Sequence, residues 1–229
     1  MEVLYEDNHL IIVNKTCSEI VQADKTGDTP LSETIKEYLK EKYAKPGNVF
    51  VGVTHRLDRP VTGVVVFAKT SKALSRMNDM FRDHDLQKSY WAIVKNPPPE
   101  QEMTLTHYLY RNEKQNKSYA YDEPVKDAKK SILSFKLIAK SDNYNLLEVD
   151  LQTGRHHQIR SQLAKIGCPI KGDLKYGFPR TNKDGGISLH ARSIEFIHPV
   201  SKIQVKVVAP VPDGDALWRE FASRQESLM

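Results

Sequence analysis

Phe50-Val51-Gly52-Val53-Thr54-His55-Arg56-Leu57-Asp58-Arg59-Pro60-Val61-Thr62-Gly63-Val64-Val65-Val66-Phe67-Ala68 sets two β-rich runs, Phe50 to Val53 and Val64 to Ala68, around a polar segment. β-Branched residues suit a pleated, buried surface, so the pattern predicts two buried strands with a loop from Thr54 to Gly63 between them. That loop holds one carboxylate, Asp58, with Arg56 and Arg59 close on either side. A charged loop hung between two buried strands belongs to a sheet, and the flanking sequence says what else builds it.

Upstream, Val3 to Glu6 and Leu10 to Val13 are short apolar runs broken by Asp7-Asn8, the signature of a hairpin. A first helix follows, with Thr29 as the expected cap, Pro30 in its first turn, and Leu31, Ile35, Tyr38, Leu39 and Tyr43 at helical spacing until Pro46-Gly47. Downstream, Ser71 is the expected cap of a second helix with Leu74, Met77 and Phe81 facing inward, and Tyr90 to Val94 reads as a buried strand. Thr104 to Tyr110, Ser118 to Tyr121, Ser131 to Ala139 and Asn145 to Leu151 read as further strands. A third helix is expected to open at Thr153-Gly154, with His156, Ile159, Leu163 and Ile166 on one stripe, and to end at Gly167 and Pro169. Lys171 to Gly186 reads as a long loop, Ser188 to Ile197 and Ile203 to Val208 as the last strands, and Leu217 to Ala222 as a terminal helix. The fold class is therefore α+β: a mixed, mainly antiparallel sheet with packed helices. No repeat or linker divides the sequence, so a single domain over 1–229 is expected.

With 39% hydrophobic and 28% charged residues the chain has the composition of a folded protein and not a disordered one. No apolar run reaches the ~20 residues of a membrane helix, and Met1 to Glu6 lacks the pattern of a secretion signal, so no membrane role and a cytoplasmic location are expected. Cys17 and Cys168 are too few for a disulfide framework and are not spaced as zinc ligands. A net charge of +5 permits a polyanionic partner without requiring one.

Three residues invite chemistry. Cations beside Asp58 favour its charged form, and a partly dehydrated carboxylate is a competent nucleophile; taken alone, Asp58 equally fits a surface ion pair or an Asx-turn. Arg160 borders the inward stripe of its helix and must find an anion if it cannot reach water, Asp58 being one candidate; otherwise it extends its head to solvent. Tyr90 is an aromatic in a core strand, where packing is the ordinary reading. No P-loop or dinucleotide-binding glycine pattern is present, and the histidines lack metal-ligand spacing.

His55-Arg56-Leu57-Asp58-Arg59-Pro60-Val61-Thr62-Gly63 closely resembles the catalytic-loop signature of the RluA branch of pseudouridine synthases. Lys88-Ser89-Tyr90-Trp91-Ala92 resembles that branch's tyrosine motif, and Gly154-Arg155-His156-His157-Gln158-Ile159-Arg160 its arginine motif. Cys168 to Asp173 with Tyr176-Gly177, then Leu189-His190-Ala191 with Phe196, His198 and Pro199, continue the match in order, from about Val3 to Pro210. The pattern departs at Lys15-Thr16-Cys17-Ser18, where Lys-Pro-x-Gly is common, at Val61-Thr62, and at His156 and Gln162.

The resemblance implies a pseudouridine synthase-like catalytic fold without the N-terminal S4-like domain of longer members. It implies isomerisation of selected uridines in ribosomal or transfer RNA, with Asp58 as nucleophile or base, Arg160 holding it ionised, and Tyr90 stacking on the displaced base or assisting removal of the C5 proton. Arg56 would fill the space left by the flipped base or else meet phosphate. His55, Arg59, Lys88, Arg155, Leu163 and Lys171 complete the expected RNA-binding set. An isomerisation needs no cofactor, nucleotide or metal, and a monomer is expected.

Overall fold

A computed structural model describes residues 1–226. In chain order its elements are β1 (Glu2–Glu6), β2 (Leu10–Lys15), α1 (Leu31–Lys42), β3 (Gly52–Val53), β4 (Thr62–Ala68), α2 (Ser71–Asp83), β5 (Leu86–Val94), β6 (Glu102–Asn112), β7 (Lys117–Tyr121), β8 (Lys129–Lys140), β9 (Asn145–Leu151), α3 (Gln158–Lys165), β10 (Leu189–Ile197), β11 (Gln204–Val208) and α4 (Ala216–Glu226). The class is α+β with mainly antiparallel strands, as the sequence pattern implies. The contacts divide the chain into two compact units, Met1–Gln87 with Arg192–Pro210, and Lys88–Ala191 with the residues from Val211 onward.

In unit 1, β2 lies between β1 and β4, antiparallel to both, with Leu10 opposite Ala68 and Lys15 opposite Gly63. Alternation along β2 and β4 sends Leu10, Ile12, Val64 and Val66 into a core with Ala73 and Met77 of α2. Ile11, Val13, Val65 and Phe67 point the other way, against Leu31, Ile35 and Leu39 of α1. Both faces are covered, which is why β4 is buried at every position and reads as an unbroken apolar run. The Phe50–Val53 strand is shorter than expected: β3 is only Gly52–Val53, and Phe50 is 46% exposed.

Both expected caps shift by one residue. Thr70 caps α2, its side chain accepting from the Ala73 N–H, because its extended backbone precedes the first helical residue. Pro30 is the N-cap of α1 and Thr29 is not; the Ile20 and Val21 carbonyls accept the Leu31 and Ser32 N–H groups, so no side-chain cap is used.

Unit 2 is built on the antiparallel series β5-β9-β8-β6-β7. Trp218 and Phe221 of α4 pack with Trp91, Ile93 and Leu146 on one part of it. The third helix starts later than Thr153, because His157 adopts the left-handed conformation (φ 53°) and α3 begins at Gln158. His156 therefore lies ahead of the helix. The 171–186 segment contains a short 3-10 turn at Leu174–Tyr176 and buries Asp173, Tyr176 and Phe178.

Candidate active site

The loop bearing Asp58 is held firmly inside unit 1. Lys15, fully buried at the end of β2, donates from Nζ to the carbonyls of Thr16 (3.0 Å), Arg59 (2.9 Å) and Val61 (2.6 Å). An ammonium has three N–H donors, and three carbonyls take them, which is the condition for keeping a cation out of water. Burial draws the Lys15 pKa down to about 8, against the opposing pull of negative groups that include Glu19 and Asp58. His55 accepts the Val66 N–H on Nε2 (3.0 Å) and stacks on Phe81 of α2, with ring centroids 4.6 Å apart. The Val61 N–H donates to the Asp58 carbonyl (3.0 Å), closing the turn that presents the half-buried Asp58.

Arg59 turns back onto the preceding segment. Its guanidinium meets Asp28 (2.6 Å), Thr26 Oγ1 (2.7 Å) and the Ser18 carbonyl (3.4 Å), and Arg56 is the exposed cation of the pair. Ser18 has φ 72°, a left-handed conformation that favours glycine, at the position where the resembled motif carries glycine.

In unit 2, Tyr90 lies on β5 opposite Val149 and is 8% exposed. Lys88 stands two residues before it on the same strand, and burial lowers its pKa. Arg160 has found an anion that the sequence reading did not single out. Its Nε donates to Asp173 Oδ2 (2.7 Å) and its Nη2 to Asp173 Oδ1 (2.9 Å), with the two side chains 6% and 1% exposed. Its guanidinium also lies 5.1 Å from the Tyr176 ring centroid.

Tyr176 is fixed in turn. Its hydroxyl accepts the Ser118 N–H (2.8 Å) and lies 2.9 Å from His157 Nδ1. Burial, reinforced by Arg160 and other positive neighbours, pushes the His157 pKa down to about 2, so the ring is neutral and Nδ1 accepts from the phenol. His156 stacks on His157 at 3.8 Å, and Nδ1 of its ring sits 2.9 Å from Ser118 Oγ.

The remaining expected RNA contacts divide. Arg155 is exposed just ahead of α3. Leu163 is completely buried and packs α3 instead of meeting solvent. Lys171 donates to Asp215 (2.6 Å) and Asn182 (2.9 Å), tying its segment to the start of α4. Gln162, one of the departures, is fully buried; its Nε2 donates to the Leu105 and Ser131 carbonyls, while its buried Oε1 has no hydrogen-bond partner. Asp173 and Tyr176 had a visible signal in the 168–177 motif, and Lys15 stands two residues after the apolar run Leu10 to Val13, but residue type alone does not reveal what each one holds. No cluster of three or more His, Cys, Asp or Glu suited to a metal occurs among the described residues, and none of the described helices is long and apolar enough to cross a membrane.

The fold is that of the pseudouridine synthases. It is similar to the solved structure of human RNA Pseudouridylate Synthase Domain Containing 4, with a TM-score of 0.76 and 21% identity over 93% of this chain and 89% of that one. Residues 9–165 match the family described as RNA pseudouridylate synthase. Among relatives, tRNA pseudouridine synthase C of Vibrio parahaemolyticus is 28% identical over 99% of this chain and 95% of its own length. Ribosomal large subunit pseudouridine synthase D of Zymomonas mobilis is 31% identical over 93% of this chain and 69% of its own. The chain belongs to the RNA pseudouridylate synthase family, in its RluA branch, and is an RNA uridine isomerase.

Proposed function

We propose that this enzyme converts uridines of ribosomal or transfer RNA to pseudouridine with Asp58 as its nucleophile. The observation that carries the reading is the mooring of the Asp58 loop: a buried lysine on three carbonyls, and His55 pinned to β4. Loops are ordinarily mobile, and a nucleophile must hold its aim within a fraction of an ångström. The relatives named for transfer RNA and for the large ribosomal subunit leave both substrates open.

The bond from uracil N1 to ribose C1′ breaks, a bond from C5 to C1′ forms, and the C5 proton leaves while N1 gains one. Atoms and electrons balance without an oxidant or metal. Reaching a uridine in structured RNA requires turning it out of its stack, at a cost of a few kcal/mol. In this reading Tyr90 stacks on the base, and exposed Arg56 and Arg155 meet RNA. A phenol's ordinary pKa near ~10 favours stacking over proton transfer for Tyr90.

The test is tritium release from [5-³H]uridine-labelled ribosomal and transfer RNA transcripts. Asp58→Ala and Asp58→Asn are expected to lower release by roughly a thousandfold or more. Release at the native rate from Asp58→Ala refutes the assignment, and free uracil among the products points to a hydrolase.

A further inference from the structure

We infer that one face of the β6–β7–β8 sheet is a stacking platform for single-stranded RNA flanking the target uridine, an inference that rests on the proposed RNA-modifying reading. Residues directly opposite in an antiparallel ladder share a face. Tyr108 stands opposite Tyr121, Tyr110 opposite Tyr119, and Asn112 opposite Lys117, while on the other side Tyr108 stands opposite Lys130. Four tyrosines therefore occupy one face of one hairpin, two from each strand.

The alternate positions, Leu105, His107, Leu109, Ser118 and Ser131, are buried on the opposite face, toward α3. The tyrosine face is the one left to water, with Tyr110 37% and Tyr121 39% exposed. Outward positions of a half-covered antiparallel sheet normally carry small polar or charged side chains. Aromatic residues two apart on a strand stand about 7 Å from each other, and sheets with such aromatics stack two or three bases of single-stranded RNA.

Charge chooses the occupant. Lys117 Nζ lies 5.3 Å from the Tyr119 centroid and 5.2 Å from that of Tyr176, whose ring also carries the Arg160 guanidinium. Lys117 thus places a cation suited to phosphate at the end of the tyrosine row. Lys130, beside Tyr108, is exposed, and Asp122, the next residue after Tyr121, pairs with Lys165 (2.8 Å). Every base offers a π-face, so such a platform tolerates different sequences; a duplex hides its bases and gains nothing from it.

The test measures the affinity of the full chain for a short fluorescein-labelled oligouridine and for the same strand annealed to oligoadenylate. Replacing both Tyr110 and Tyr121 with alanine is expected to weaken single-strand binding by about tenfold or more and to leave duplex binding within about twofold. The double phenylalanine variant keeps the rings and is expected to retain native affinity; far-UV circular dichroism checks that all variants fold. Unchanged oligouridine affinity in the alanine pair overturns the inference, as does equal weakening in the phenylalanine pair. Self-association of the native chain that the alanine pair abolishes overturns it in favour of a second copy on this face. Tritium release by Asp58→Ala is scored separately: persistence there sinks the catalytic assignment without touching the binding comparison.

Discussion

Replacing Asp173 with asparagine keeps the shape of the side chain and removes the charge that faces Arg160. The pair is bidentate, at 2.7 and 2.9 Å, and both side chains are almost completely buried. Opposite charges about 4 Å apart attract by about 4 kcal/mol at the effective dielectric of ~20 that suits protein sites. The amide also turns N–H groups toward a cation that needs acceptors. Breaking a buried pair from one side costs about 3–5 kcal/mol, a large share of the ~5–15 kcal/mol that holds a domain folded. The chain's two tryptophans, Trp91 and Trp218, are both buried and both in unit 2, so fluorescence during urea unfolding reports on the unit that carries the pair. Asp122→Asn, which loses an exposed partner of Lys165, is the control and is expected to change stability by less than about 1 kcal/mol. Replacing both members, as Arg160→Met with Asp173→Leu, is expected to recover part of the loss, since neither member of this pair is then left facing the other's empty place. If Asp173→Asn unfolds within about 1 kcal/mol of the native chain, the pair does not hold α3 to the 171–178 segment, and the reasoning fails.

Ser18→Gly is expected to stabilise unit 1 by up to about 1 kcal/mol, because a side chain is removed from a left-handed backbone; a lower thermal midpoint contradicts this. Glu6 accepts from Lys42, Lys69, Tyr38 and Tyr43, and although burial alone raises its pKa, these four donors bring it from 4.5 down to about 2. A folded pKa below the unfolded one gives stability that is complete above pH 4.5 and is lost as pH falls toward about 2. Glu6→Gln is expected to flatten that acid limb of the stability profile, and an unchanged limb refutes the assignment. Lys15→Met removes the shared donor of three carbonyls around the Asp58 loop, so turnover is expected to fall at least about tenfold and amide exchange at Val61 to accelerate. Native exchange at Val61 in this variant removes the mooring argument.

Strands and helices were largely legible in the sequence because burial periodicity is local. The apolar runs at Leu10 and Val64 and the helical spacing of Leu31, Ile35 and Leu39 each announce a face. Boundaries slipped where a neighbour supplied what the local sequence did not: the Ile20 and Val21 carbonyls at the start of α1, and the left-handed His157 ahead of α3.

By itself the sequence determined the fold class, the family motifs and the loop that carries Asp58, since those depend on residue type, order and short spacing. Only the tertiary structure decided that Arg160 pairs with Asp173, that Lys15 and His55 moor the loop, and that Arg59 and Lys171 are spent on acidic neighbours. A charged side chain reaches several ångströms in any direction, and which opposite charge lies within that reach is set by packing between segments far apart in the chain.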